Sequence, residues 1–194
     1  LARRLGLPLV RYFTKMRRDL SLDIPYLALP EGLDLVIPTP ADSARIMEAK
    51  NDAFRDHWGS QQSVPESWKS LVDAPTMRWD LSVIATAGDE VAGFVMAQVY
   101  PDDFETQGYV GGYIPLVGVV KGWRRQGVAP ALLAAAMRLH RDSGYEKVAL
   151  DVDTENPSGA LGLSPRTCHA MASGAYQVDQ PSRSSRQARS TSSL

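Results

Sequence analysis

The sequence predicts a mixed α/β domain, and three observations predict it. Two apolar, partly β-branched runs, Leu81 to Thr86 and Val91 to Tyr100, flank Gly88-Asp89, which is the pattern of a hairpin. A further strand candidate, Tyr113 to Val120, leads through a glycine-containing loop into a helical stretch from about Val128 to Asp142. In that stretch Leu132, Leu133, Ala136, Met137 and His140 fall on one face.

The other elements follow in chain order. Val10, Tyr12, Thr14 and Met16 alternate with Arg11, Phe13, Lys15 and Arg17, as in a short strand. Asp19 to Pro30 reads as a linker broken by Pro25 and Pro30. Thr39-Pro40-Ala41-Asp42 reads as a helix start, with Thr39 at the N-cap and Pro40 at the first helical position. Ile46, Met47, Ala53, Phe54 and Trp58 follow at helical spacing. Ser63-Val64-Pro65-Glu66 reads as a capping box before a shorter helix carrying Trp68, Leu71 and Val72. Gly144 is a natural stop for the long helix, and Lys147 to Val152 reads as the next strand. Asn156-Pro157 opens a further helix, with Asn156 as its N-cap.

Composition narrows the function classes. The chain has 194 residues, 44% of them hydrophobic and 22% charged, with a net charge of -1. That is the balance of a soluble globular protein, without the basic footprint of a nucleic-acid binder or a reason to seek an anionic membrane. No apolar run approaches the ~18 residues that span a bilayer. Cys168 stands alone, which excludes an intramolecular disulfide and argues against a cysteine-rich metal site. A reducing, cytoplasmic compartment is expected. The first residue is Leu1, so the sequence reads as a fragment or as a start at an unusual codon.

The chemistry concentrates in Trp123-Arg124-Arg125-Gln126-Gly127-Val128-Ala129, between strand and helix. The first backbone N–H groups of a helix have no internal partner, and the helix dipole makes them an anion site. Gly127 lets a phosphate approach the backbone, Ala129 keeps the next turn small, and Arg124 and Arg125 can add charged donors. The segment lacks the Lys-Ser/Thr of a P-loop and the three spaced glycines of a dinucleotide fingerprint. By spacing alone it fits a pyrophosphate cradle or an ordinary turn with solvated arginines.

Arg124-x-x-Gly127-x-Ala129, following Val117-Gly118-Val119-Val120, resembles the acetyl-CoA motif of the GNAT N-acetyltransferase superfamily. Val148-Ala149-Leu150-Asp151-Val152-Asp153-Thr154-Glu155-Asn156-Pro157 resembles that family's following strand and asparagine turn. The resemblance covers about residues 31 to 163, in the style of the C-terminal half of tandem members such as mycothiol synthase. It implies a mostly antiparallel sheet with flanking helices. It implies acetyl-CoA as co-substrate, no metal, and direct attack by a small-molecule or peptide amine. Backbone groups at Val117 and Val119 would pair with the pantetheine arm, and an N–H there would polarise the thioester carbonyl. Amides from Gln126 to Ala129 would hold the pyrophosphate, and Asn156 would contact the cofactor near its thiol.

The sequence departs from the family after Gly162-Leu163. Members usually continue with a tyrosine that protonates the departing thiolate, then with a last strand pair. Here position 164 is serine, a far weaker acid than a phenol. Ser164 to Leu194 is rich in Ser, Arg and Gln, has no lysine or tryptophan, and has Asp179 as its one acidic residue. It reads as a disordered tail. A shifted reading frame near codon 164 would account for the change. A fold missing its last strands would leave an exposed sheet edge, and with it poor solubility. At the other end, Arg4-Leu5-Gly6-Leu7 and the strand after it resemble the end of a GNAT domain, which makes residues 1–19 the stub of a preceding domain; the alternative is an N-terminal strand belonging to this domain. The expected organisation is therefore a stub plus linker over residues 1–29, the acetyltransferase domain over 30–163, and the tail over 164–194. The alternative function is a truncated or frameshifted remnant that binds CoA but is catalytically impaired.

Other residues carry weaker signals. His57 and Trp58 end the first helix, where this fold borders its acceptor cleft; core packing and surface exposure are the bland alternatives. Tyr113 is a strand-packing residue first and a cleft residue second. Asp102, Asp103 and Glu105 offer a general base or a solvated loop. His140 reads as a partly buried helix residue. Asp151 and Asp153 lack the partners for a metal site.

Overall fold

A computed structural model describes residues 13–55, 61–153 and 169–170, with side chains for residues 15–55 and 61–151. Seven strands form one sheet: β1 (Phe13–Asp19), β2 (Asp34–Val36), β3 (Val83–Ala87), β4 (Glu90–Val99), β5 (Gly111–Val119), β6 (Lys147–Asp153) and β7 (His169–Ala170). Their spatial order is β2-β3-β4-β5-β6-β1-β7. All neighbours are antiparallel except β5 and β6, which run parallel. The helices are α1 (Ser43–Ala53), α2 (Pro65–Val72), the short α3 (Phe104–Gln107) and α4 (Val128–Asp142). The mixed α/β fold with a mostly antiparallel sheet is thus observed.

The hairpin forms where expected. Ala87 pairs with Glu90, so the connection is the two residues Gly88-Asp89, with Gly88 at φ +59°. A side chain rarely adopts that φ, which is why glycine stands at the turn. Strand β4 is buried on both faces from Val91 to Val99. On one face α4 buries Leu132, Leu133, Ala136 and Met137 against Val83, Ala85, Val95 and Ile114. On the other, α1 and α2 bury Ile46, Ala49, Trp68 and Val72 against Ile84, Phe94 and Met96. Gly144, at φ +86°, follows α4 as expected and its N–H bonds Arg141 O at 2.9 Å.

Two helix starts differ in detail from the sequence reading. Thr39 N–H donates to Asp42 Oδ2 at 2.7 Å, but Pro40–Asp42 form a 3-10 turn and α1 begins at Ser43. Before α2, Val64 rather than Ser63 occupies the N-cap. Asn51 of α1 captures Ser63 instead: Ser63 N–H donates to Asn51 Oδ1 at 2.7 Å, and Asn51 Nδ2 donates to Ser63 O at 2.9 Å. A two-sided clamp on the backbone outweighs a single capping bond.

The outer edge of β6 is not bare. β1 pairs with it antiparallel at every position from Phe13↔Asp153 to Asp19↔Lys147. Met16, Leu20 and Ile24 join the core on the α4 side. The expectation of an exposed edge is corrected here: the amino-terminal segment supplies a strand for it. Asn156, Ser164, Cys168 and the tail from 171 lie outside the described residues, as does the end of the α1 segment at His57 and Trp58.

His140, read as partly buried, is fully buried. Its Nδ1 lies 2.8 Å from Ala136 O, and Nε2 has no partner among the described residues. A donor proton therefore belongs on Nδ1. Burial pushes the imidazole pKa below its ordinary value of 6.5. The fold thus prefers the neutral ring. Its contribution is fully present above about pH 6.5 and is lost as pH falls from there toward the lowered folded value. Urea denaturation at pH 7.5 and pH 5 is expected to show this loss, and His140→Leu is expected to flatten it. An equally steep loss in the variant would assign the effect to other groups.

Candidate active site

The site begins where β5 and β6 stop pairing. Their parallel register runs from Gly111↔Lys147 to Ile114↔Leu150 and goes no further, although both strands continue. On its other edge β5 stays paired with β4 as far as Val119. Met96 faces Leu116 while Gln98 faces Tyr113, so β5 carries a bulge at Ile114-Pro115. Proline has no N–H to give a ladder, and a bulge is where a strand tolerates it. The edge from Pro115 to Val119 is left without a strand partner among the described residues. Val120 N–H turns to β4, bonding Ala92 O at 2.9 Å, so by alternation the backbone groups of Val119 and Val117 turn to this opening, while their side chains pack toward the α4 core.

The loop after β5 delivers a helix N-terminus beside it. Lys121–Trp123 make a 3-10 turn, Arg125 sits at φ +61° and Gly127 at φ +86°. A left-handed arginine costs about 1–2 kcal/mol, strain of the kind that collects at functional loops. Gly127 is the N-cap of α4, whose first backbone bond runs from Ala131 N–H to Gly127 O. Val128 and Ala129 precede that bond, and Pro130 brings no N–H. Among the described residues, nothing beyond its chain neighbours lies within 4 Å of a Cβ placed on Gly127.

The arginines divide their work. Arg124 Nη2 donates to Ala53 O at 2.8 Å and Nε to Val119 O at 3.2 Å. Its guanidinium therefore ties the end of α1 to the end of β5. Arg125 and Gln126 are exposed, and Gln126 Nε2 holds Gly122 O at 2.9 Å.

A second group of side chains gathers where the β5–β6 pairing ends. Tyr113 Oη donates to Asp151 Oδ2 at 3.0 Å. The Tyr100 ring meets Tyr113 edge-on, with centroids 6.3 Å apart, and Tyr100 Oη donates to Gln98 Oε1 at 2.6 Å. Burial, then the neighbouring Asp151 charge and hydrogen bond, push the Tyr113 phenol well above its ordinary range. Tyr113 thus keeps its proton for Asp151 and is a poor acid for a thiolate. Sequence reasoning named Tyr113 but missed Gln98, Tyr100 and the role of Asp151. The available signal was an acidic residue directly after the buried run Val148-Ala149-Leu150. Asp102 and Asp103 sit on the exposed turn leading into α3, and Glu105 is exposed in its first turn. No three His, Cys, Asp or Glu side chains among the described residues group as a metal site. No helix among them is long and apolar enough to cross a membrane.

Comparison with known proteins agrees with this geometry. No curated protein matches the chain. A GCN5-related N-acetyltransferase from Sphaerobacter thermophilus is 27% identical, with a TM-score of 0.72, over 88% of this chain and 51% of that one. This chain thus spans about half the length of that protein. A tandem GNAT protein from the clavulanic acid biosynthesis pathway is 17% identical, with a TM-score of 0.58, over 83% of this chain and 51% of its own. The ribosomal-protein-alanine N-acetyltransferase of Brucella melitensis biovar Abortus 2308 shares the fold at 15% identity and TM-score 0.61, over 76% of this chain and 99% of that one. The model of the acetyltransferase (GNAT) family matches residues 44–160, which include the unpaired edge of β5, the Gly127 turn and all of α4. With more than half of its length matched, the chain belongs to the GNAT acetyltransferase family.

Proposed function

We propose that this chain is an N-acetyltransferase domain that takes acetyl-CoA as co-substrate and passes the acetyl group to an amine by direct attack. The observation that supports it is one juxtaposition. Among the described residues, a β5 edge without a strand partner runs straight into a helix N-terminus where a Cβ placed on Gly127 meets no other atom within 4 Å. An extended pantetheine arm fits the first, and a pyrophosphate fits the second.

In this reading the amides of Gln126, Gly127, Val128 and Ala129 receive the phosphates, with Arg125 adding charge from the exposed side. Arg124 positions the loop through its bonds to Val119 O and Ala53 O. Backbone groups at Val117 and Val119 align the arm, and an N–H of this edge polarises the thioester oxygen. An acceptor that arrives as an ammonium first gives a proton to solvent. The amine lone pair forms the new N–C bond. After attack the nitrogen gives up a second proton to solvent, the C–S bond breaks, and the thiolate leaves with its electron pair and takes a proton from solvent. Asn156, His57 and Trp58 keep their proposed places near the thiol and the acceptor. A small-molecule or peptide amine as acceptor and a cytoplasmic setting complete the proposal.

Calorimetry with acetyl-CoA and thiol release with a panel of amines test it. Binding with turnover is the expected result. Binding without turnover supports the impaired, CoA-binding reading, which Ser164 at the family's tyrosine position favours. Failure to bind acetyl-CoA sinks both. Gly127→Val tests the cradle itself: it is expected to weaken acetyl-CoA about tenfold or more, because a branched side chain enters the anion path and resists positive φ. An unchanged Kd in the folded variant would place the pyrophosphate elsewhere.

A further inference from the structure

Asp151 is the first residue of β6 beyond the last β5–β6 pair. Alternation puts it on the sheet face of Ala149, the register partner of Tyr113, and the Tyr113 hydroxyl reaches it from there. Asp151 is exposed, Tyr100 is 38% exposed and Tyr113 is partly exposed. Both phenolic protons are already directed inward, one to Asp151 and one to Gln98 Oε1. What this face offers a visitor is a carboxylate, two aromatic rings and oxygen lone pairs. Each of these favours a cation.

The neighbouring cations leave the place open. Lys15 of β1 is the cross-strand partner of Asp151, yet it is exposed and makes no ion pair within 4.0 Å of it. Arg17, whose register partner Ala149 is two residues from Asp151, and Lys147 at the start of β6 both turn to the Tyr109 ring, each 5.0 Å from its centroid.

We propose that Asp151, Tyr100 and Tyr113 form the acceptor subsite and select amines that arrive positively charged, against neutral and anionic ones. The identity of this cation as the acetyl acceptor rests on the acetyl-transfer reading; the cation site itself does not. Asp151 binds the charge, Tyr113 orients the carboxylate, and the rings cover the carbon chain next to the charged nitrogen.

The test titrates the full chain, saturated with CoA, with 1,4-diaminobutane in wild-type, Asp151→Asn and Tyr113→Phe forms. Asp151→Asn keeps the shape of the side chain and removes its charge, and is expected to weaken diamine binding roughly tenfold to a hundredfold. Tyr113→Phe is expected to weaken it by a smaller factor, about threefold, because the carboxylate remains but loses its orienting donor. Acetyl-CoA affinity is expected to be unchanged in both, which also shows that the variants fold. In turnover, Asp151→Asn is expected to raise KM for the diamine and to spare aniline, which is uncharged at pH 7.5. Equal diamine affinity in wild type and Asp151→Asn overturns the proposal, as does an equal loss toward aniline. So does a wild-type chain that binds no diamine. The same titration is made without CoA: if acetyl-CoA fails to bind while the diamine binds the free chain through Asp151, the acetyl-transfer reading falls and the cation site stands.

Discussion

Gly118→Ala is expected to cost the domain about 3 kcal/mol of stability, the upper end of what overpacking a well-filled core produces. A Cβ at this position would lie 2.7 Å from Phe94 Cε1 and closer still to Cζ. Phe94 is fully buried, pairs with Gly118 across β4 and β5, and meets the Phe54 ring at a centroid distance of 6.4 Å. The ring has no open side, so the strand must move instead. That strand is the one whose free edge is proposed to hold the pantetheine arm. Loss of stability and loss of acetyl-CoA binding should therefore appear together. Thermal melting is expected to fall by roughly 6–12 °C for a domain of this size. Phe94→Leu in the same chain is expected to recover part of the loss by vacating the contested space. A melting point within about 2 °C of wild type would mean that Phe94 can retreat after all.

Deleting residues 1–19 is expected to be harsher still. The deletion strips β6 of its outer partner at every position from Lys147 to Asp153. It also takes Met16 out of the core and leaves Leu20, whose N–H bonds Glu146 O at 2.9 Å, at a new chain end. Burial of two such side chains is worth about 1.5–3 kcal/mol each, and an unpaired central edge invites aggregation. The combined loss approaches the about 5–15 kcal/mol margin of a typical domain. Expression is expected to give insoluble or molten protein. A synthetic peptide covering residues 10–24, added during refolding, is expected to restore a cooperative melt. A truncated chain that melts cooperatively without the peptide would show that β6 needs no outer neighbour.

Much of this architecture is legible in the residues. The Gly88-Asp89 hairpin, the α4 face and the Gly144 stop each depend on local signals: turn chemistry, a period near 3.6 and a left-handed cap. The Gly127 turn is legible for the same reason, since its glycine and its place between strand and helix are both local. Where pairing happens at a distance, the sequence is silent. Nothing near Phe13 says that it will lie against Asp153, and nothing near Pro115 says that β5 bulges there. The Asn51 clamp that displaces Ser63 from its cap reaches across a loop, invisible to a capping pattern. Asp151 does not stand out in the sequence as the binding residue proposed above, because its partner Tyr113 and the adjoining Tyr100 come from two other segments of the chain. Arg124 reads as a phosphate ligand in its motif, and only the fold shows its guanidinium engaged by Val119 O and Ala53 O.

The position of β1 also bears on how the molecule is made. A ribosome releases Phe13–Asp19 long before Lys147–Asp153, yet each needs the other as its neighbour. Until β6 emerges, the early strand has no lawful place, and its Met16 and Leu20 stay exposed to the cell's holding machinery. Contacts that close so large a loop form late and slowly. Pauses in translation before β6 should therefore lengthen the window for capture by chaperones or proteases. The carboxylate of Asp151 travels on the strand that ends this wait, so the proposed acceptor subsite forms only once β6 has emerged and paired.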